Sequence, residues 1–127
     1  MSTRFNPHQG LIIVRARLWG PTGQTSLRMA LDTGATATLI RPAILVSVGY
    51  DPANAPDRVQ MTTGSGIEFV PRLAIDQIAA LGQQRTNFPV IGHTLPPTAS
   101  IDGLLGLDFF RVQRLIVDFR KGEINLR

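Results

Sequence analysis

The sequence predicts an all-β protein: a closed or partly closed barrel of eight or nine short strands with two short helices. Three observations predict it. Apolar and polar residues alternate with period two in several short runs, the pattern of strands with one buried face. Twelve glycines and nine prolines in 127 residues cut the chain into pieces too short for long helices. Hydrophobic residues make up 43% and charged residues 17%, the balance of a globular chain, and residues 1–127 are read as one domain.

The elements follow in order. Leu11–Trp19 alternates over its second half and reads as a strand, and Gly20-Pro-Thr-Gly23 is a turn. Ser26–Leu31 alternates again and runs into Asp32-Thr33-Gly34. Thr38-Leu-Ile40 is a short apolar strand, and Pro42 suits the first turn of a helix over 43–48, stopped by Gly49. Val59–Thr63 and Ile67–Pro71 flank Gly64-Ser65-Gly66 and read as a hairpin. Arg72–Leu81 and Arg85–Ile91, parted by Gly82, read as a second pair of strands, and Leu95-Pro-Pro-Thr98 as a loop. Leu107–Val112 reads as a one- or two-turn helix, and Leu115–Phe119 and Glu123–Leu126 as a final hairpin across Lys121-Gly122.

Composition excludes several function classes. The chain has no cysteine, which removes disulfides, thiolate zinc sites and cysteine nucleophiles. No apolar run approaches the length that spans a bilayer, and the apolar stretch Leu11–Val14 is far too short for a signal peptide. A cytoplasmic chain without membrane contact is expected, with a periplasmic or membrane-anchored parent as the alternative. The formal net charge is +4 and the isoelectric point near 11, a balance that raises nucleic-acid binding. Twelve of the thirteen cations are arginines spread along the whole chain with no interleaved aromatics, so solvated strand faces are expected and no nucleic acid. The single lysine, Lys121, rules out a Walker phosphate loop. His8 and His93 stand isolated, with no partners at metal spacing, and His93 reads as a polar loop residue. Ser65 lies between glycines but lacks the nucleophile-elbow pattern.

The strong feature is Leu31-Asp32-Thr33-Gly34-Ala35, where a carboxylate leaves an apolar strand and enters a glycine turn. Gly34 lets the backbone approach that carboxylate and present its N–H, and Thr33 offers a short hydroxyl for a hydrogen bond between chains. Read locally, the same residues also describe an Asp-Gly turn closing a strand.

With its context, this segment resembles the active-site loop of retropepsin-like aspartic proteases. Apolar Thr38-Leu39-Ile40 follows it, and Met61-Thr62-Thr63-Gly64-Ser65-Gly66 stands where that family has its flap hairpin. Leu104-Leu105-Gly106 resembles the second signature, two hydrophobics and a glycine passing behind the catalytic loop. Residues 107–113 match the short helix after it and Leu115–Phe119 the closing strand. The retroviral members carry an acidic residue where this chain has Thr36 and an arginine where it has Leu107. The chain also continues past Phe119, as bacterial and ubiquitin-shuttle relatives do.

The resemblance implies a retropepsin-like acid-protease fold: a closed barrel-like half with a flap hairpin and one short C-terminal helix, active as a homodimer. It implies an aspartic endopeptidase with no cofactor and no metal, taking a peptide or protein substrate. Asp32, Thr33 and Gly34 would form the catalytic loop. Ala35, Thr36, Met61, Thr62, Thr63, Gly64, Ser65, Gly66, Ile67 and Leu104 would line the substrate cleft. One Asp-Thr-Gly supplies half a carboxylate dyad, so two copies of Asp32 would meet at a two-fold axis, with the terminal strands expected at the interface. Asp102 is read as a turn residue and Asp108 as a helix cap or polar pin. The alternative is a catalytically weak or inactive peptide-binding or assembly module using the same cleft.

Overall fold

The structure is a computed structural model and describes residues Met1–Arg127. Ten strands and two α-helices form: β1 (Ser2–Arg4), β2 (Ile13–Gly20), β3 (Gly23–Leu31), β4 (Leu39–Ile40), α1 (Pro42–Ser47), β5 (Asp57–Thr63), β6 (Gly66–Ala80), β7 (Gln83–Gly92), β8 (Gly103–Leu105), α2 (Leu107–Phe110), β9 (Leu115–Asp118) and β10 (Glu123–Leu126). Single 3-10 turns occur at Pro52–Asn54 and Pro97–Ala99.

Six strands close a barrel. The order β2-β3-β8-β4-β7-β6 returns to β2 through its pairing with β6, which joins Ala16–Trp19 to residues 77–80. The alternation in β2 has its expected consequence: Val14, Ala16 and Leu18 are buried while Arg15 and Arg17 between them face solvent. Leu27, Met29, Ile40, Ile75, Ile78, Val90 and Leu105 fill the same interior, closed at one end by Phe109 and Phe110 of α2. A separate three-stranded sheet, β1-β10-β9, covers the core with Ile124 and Leu126.

The β5–β6 hairpin, expected from the sequence as a flap, is an extension of the barrel wall. β6 runs for fifteen residues; its first half pairs with β5 as a free hairpin and its second half with β2. Two strands, 67–71 and 72–81, were expected here. They are one, because pairing with β7 starts only at Arg72, so the absent N–H of Pro71 interrupts no bond on that side. The hairpin tip is the two-residue turn Gly64-Ser65, with Thr63 opposite Gly66 at φ 122°.

Other departures have local causes. β1 carries no apolar alternation and forms because β10 offers it a partner edge. Leu104-Leu105 belongs to a strand, β8, parallel to β3 and antiparallel to β4. α2 stops at Phe110 instead of continuing to Val112. The Arg85 guanidinium takes the Phe109 carbonyl at 2.7 Å, bonds the Gln113 amide oxygen, and lies 4.6 Å over the Phe109 ring. That packing lowers the Arg85 pKa below its ordinary value through burial. No helix is long and apolar enough to cross a membrane.

Candidate active site

Asp32 sits where β3 ends, and its backbone is fixed by the strand beside it: its N–H donates to the Leu105 carbonyl at 2.9 Å. The loop then turns tightly. The Ala35 N–H donates to the Asp32 carbonyl at 3.2 Å, and the Gly34 N–H donates to Asp32 Oδ1 at 2.9 Å. A Cβ at residue 34 would stand 3.1 Å from that same oxygen, so glycine is what allows this approach. Asp32 is half-buried while Thr33, Gly34 and Thr36 are exposed, so the loop presents its carboxylate toward the surface of the chain.

The loop rests on the segment after β8. The Leu107 N–H donates to the Ala35 carbonyl at 2.8 Å. Gly106 passes so near that a Cβ there would meet the Ala37 carbonyl carbon and oxygen at 2.6 Å. Behind it, Asp108 Oδ2 accepts the Thr38 N–H at 2.9 Å and Oδ1 accepts the Thr38 hydroxyl at 2.7 Å. The Thr38 hydroxyl oxygen in turn accepts the Gly106 N–H at 3.2 Å, and Thr38 is fully buried. Asp108 is thus the polar pin of the two roles read from sequence, since Gly106 is the N-cap of α2 and no side chain caps the helix. Leu104 alternates with buried Leu105 along β8 and is half-exposed on the opposite side.

The flap residues divide between two faces. Met61, Thr63 and Glu68 share a face with Val59 and buried Val70, which turns toward the body of the protein. Thr62 and Ile67 share the other face with Phe69, and Ile67 and Phe69 are 63% and 69% exposed. Gly64, Ser65 and Gly66 at the tip are exposed. The face carrying Met61 is held by a side-chain contact, Glu68 Oε2 to His93 Nε2 at 3.0 Å.

Sequence reasoning missed several partners. Asp102 does more than turn the chain: Oδ2 accepts the Arg28 N–H at 2.9 Å and Oδ1 pairs with Arg41 at 2.7 Å, tying β3 and the start of α1 to β8. The Tyr50 hydroxyl donates to the Trp19 carbonyl at 2.8 Å and accepts the Asp76 N–H at 2.7 Å. Burial raises the Tyr50 pKa above the ordinary tyrosine value. No local pattern marks these pairs. The His, Asp and Glu side chains do not gather in any group of three or more able to hold a metal.

Residues 14–109 match the family model described as aspartyl protease. No curated protein matches the chain in sequence. Among solved structures, the chain is similar to a retropepsin-like aspartic protease from Rickettsia conorii, with TM-score 0.72 and 16% identity over 99% of this chain and 88% of that one. It is also similar to the retroviral protease-like domain of Ddi1 from Leishmania major, with TM-score 0.55 and 15% identity over 92% of this chain and 94% of that one. At these identities the likeness is one of fold, and the fold is retropepsin-like.

Proposed function

The chain belongs to the aspartyl protease family, and from that premise we propose that it is an aspartic endopeptidase whose active form is a homodimer. The observation that carries the proposal is the Asp32 loop: a carboxylate at the chain surface, its Oδ1 held by the Gly34 N–H at 2.9 Å and its backbone braced on Leu105. Such a loop in one copy is half of a two-carboxylate site. Paired about a two-fold axis, two Asp32 side chains share one proton, because like charges a few ångströms apart do not both ionise cheaply.

The reaction follows from that sharing. The ionised carboxylate takes a proton from water as the water oxygen bonds to the scissile carbonyl carbon, while the protonated carboxyl donates to the carbonyl oxygen. The tetrahedral adduct collapses with a proton passing to the leaving amine, and the C–N bond breaks. Thr33 and Gly34 orient the carboxylates. Met61 and Thr63 on the inner face of the flap, with Ala35, Thr36 and Leu104, line the cleft, and the tip 64–66 with Thr62 and Ile67 completes the hairpin that closes over substrate.

The terminal sheet supports the pairing of copies. β9 is one of its two edges, with Ile116 37% exposed in the strand and Phe119 58% exposed just after it. A second reading, capture of an extended peptide without efficient cleavage, draws on Thr36 and Leu107, where retroviral members have an acid and an arginine. One experiment decides: digestion of a peptide library by wild type and Asp32→Asn, with peptide binding measured in parallel. Cleavage lost in the variant supports the protease. Binding without cleavage in the wild type supports the second reading.

A further inference from the structure

His93 follows β7 directly, and both of its ring nitrogens meet oxygen. Nδ1 lies 2.7 Å from the Thr94 carbonyl oxygen and Nε2 lies 3.0 Å from Glu68 Oε2. A carbonyl only accepts, and so does an ionised carboxylate. Two acceptors need two donors, and an imidazole has two N–H groups only when it is protonated. A neutral ring has one proton to offer. Whichever nitrogen keeps it, the other turns a lone pair toward the lone pairs of an oxygen.

We propose that His93, as an imidazolium, is a positioning residue for the flap: it clamps Glu68 of β6 to the Thr94 carbonyl and releases it on losing its ring proton. The inference rests on the reading of residues 57–70 as the flap of a proteolytic cleft. The clamp holds the hairpin by its inner face, and its anchor, Thr94, opens the loop that leads back to β8.

The charged groups at the base of the hairpin are engaged elsewhere. Arg58 lines the same hollow of about 360 Å³ at the base of the flap, with Val70, Pro71 and His93, and donates to the Ala53 carbonyl at 3.1 Å. Asp57 and Arg72 pair with each other at 2.6 Å. Glu68 is therefore the carboxylate that answers to His93. The clamp is complete while the imidazole carries both ring protons and opens when one of them is lost.

The test is hydrogen–deuterium exchange of residues 57–70 in the full chain at pH 5.5 and 7.5, expressed as protection relative to intrinsic rates. Wild type should lose about two- to fivefold in protection at the higher pH, the size an ion pair this exposed supports. His93→Ala should be poorly protected at both. Glu68→Gln should lose the pH dependence and stay protected at pH 7.5, because a glutamine amide can donate to Nε2 of a neutral ring while Nδ1–H serves Thr94. The same two- to fivefold change should appear in KM at pH 5.5 for His93→Ala, with kcat nearly unchanged. Equal wild-type protection at the two pH values, or a Glu68→Gln protein that keeps the wild-type drop, overturns the clamp. A chain that cleaves no peptide yet shows the expected exchange pattern overturns the protease reading and supports the clamp.

Discussion

Asp108 holds Thr38 through both of its carboxylate oxygens, one on the backbone N–H at 2.9 Å and one on the hydroxyl at 2.7 Å. The two residues lie seventy positions apart. Through the Thr38 hydroxyl the pair also reaches the Gly106 N–H, so one partly buried pin locks the Asp32 loop, the end of β8 and the start of α2 together.

Removing one partner leaves the other unpaired in a buried site. Asp108→Ala should cost about 2–4 kcal/mol, since it strands both the N–H and the hydroxyl of Thr38. Thr38→Val keeps the N–H bond to Asp108 but removes the hydroxyl from both Asp108 Oδ1 and the Gly106 N–H, and should cost about 1–3 kcal/mol. Urea unfolding of the two variants beside wild type measures both, and an Asp108→Ala protein as stable as wild type would show that the pin contributes nothing.

Gly106→Ala should be among the most damaging single-methyl changes in the chain. The added carbon would stand 2.6 Å from the Ala37 backbone, and backbone cannot swing aside as a side chain can. Destabilisation of about 3 kcal/mol is expected, together with loss of any cleavage activity because the Asp32 loop must shift. A shifted Tm and an activity assay check the two parts separately.

If two Asp32 residues form one site, wild type mixed with excess Asp32→Asn should lose activity as mixed dimers form, and specific activity should fall on dilution through the dimer dissociation constant. Ile116→Lys on the free edge of β9 should raise that constant at least several-fold while leaving the monomer folded, as measured by sedimentation with circular dichroism. Deleting residues 120–127 is not a clean test of association, because Ile124 and Leu126 are buried in their own chain's core.

Tyr50 gives the stability a pH dependence at the alkaline end. Burial raises its pKa in the folded state, so the unfolded chain gives up that proton more easily. Its contribution is present below the ordinary tyrosine value near 10.0 and is lost as pH rises through the higher folded value. Tyr50→Phe should flatten this alkaline decline between pH 9 and 11 in urea titrations. It should also cost about 1–2 kcal/mol at neutral pH, where the Trp19 carbonyl and Asp76 N–H lose their partner.

What the sequence by itself determined is local and periodic. Alternation in 13–20 chose which side of β2 faces the core, and Asp32-Thr-Gly34 at a strand end predicted a carboxylate in a glycine turn. Leu104-Leu105-Gly106, resembling a known signature, predicted the segment behind that loop. These readings succeed because strand period and turn chemistry act between residues a few positions apart. Tertiary structure alone decided the partners: Asp108 for Thr38, Glu68 for His93, Tyr50 for the Asp76 N–H, Arg85 for the Phe109 carbonyl, and β10 for a β1 that carries no pattern of its own. Each of these side-chain bonds spans twenty-four to seventy positions. It forms only once closure of the barrel has brought two strands or loops together, and no local sequence pattern carries that distance.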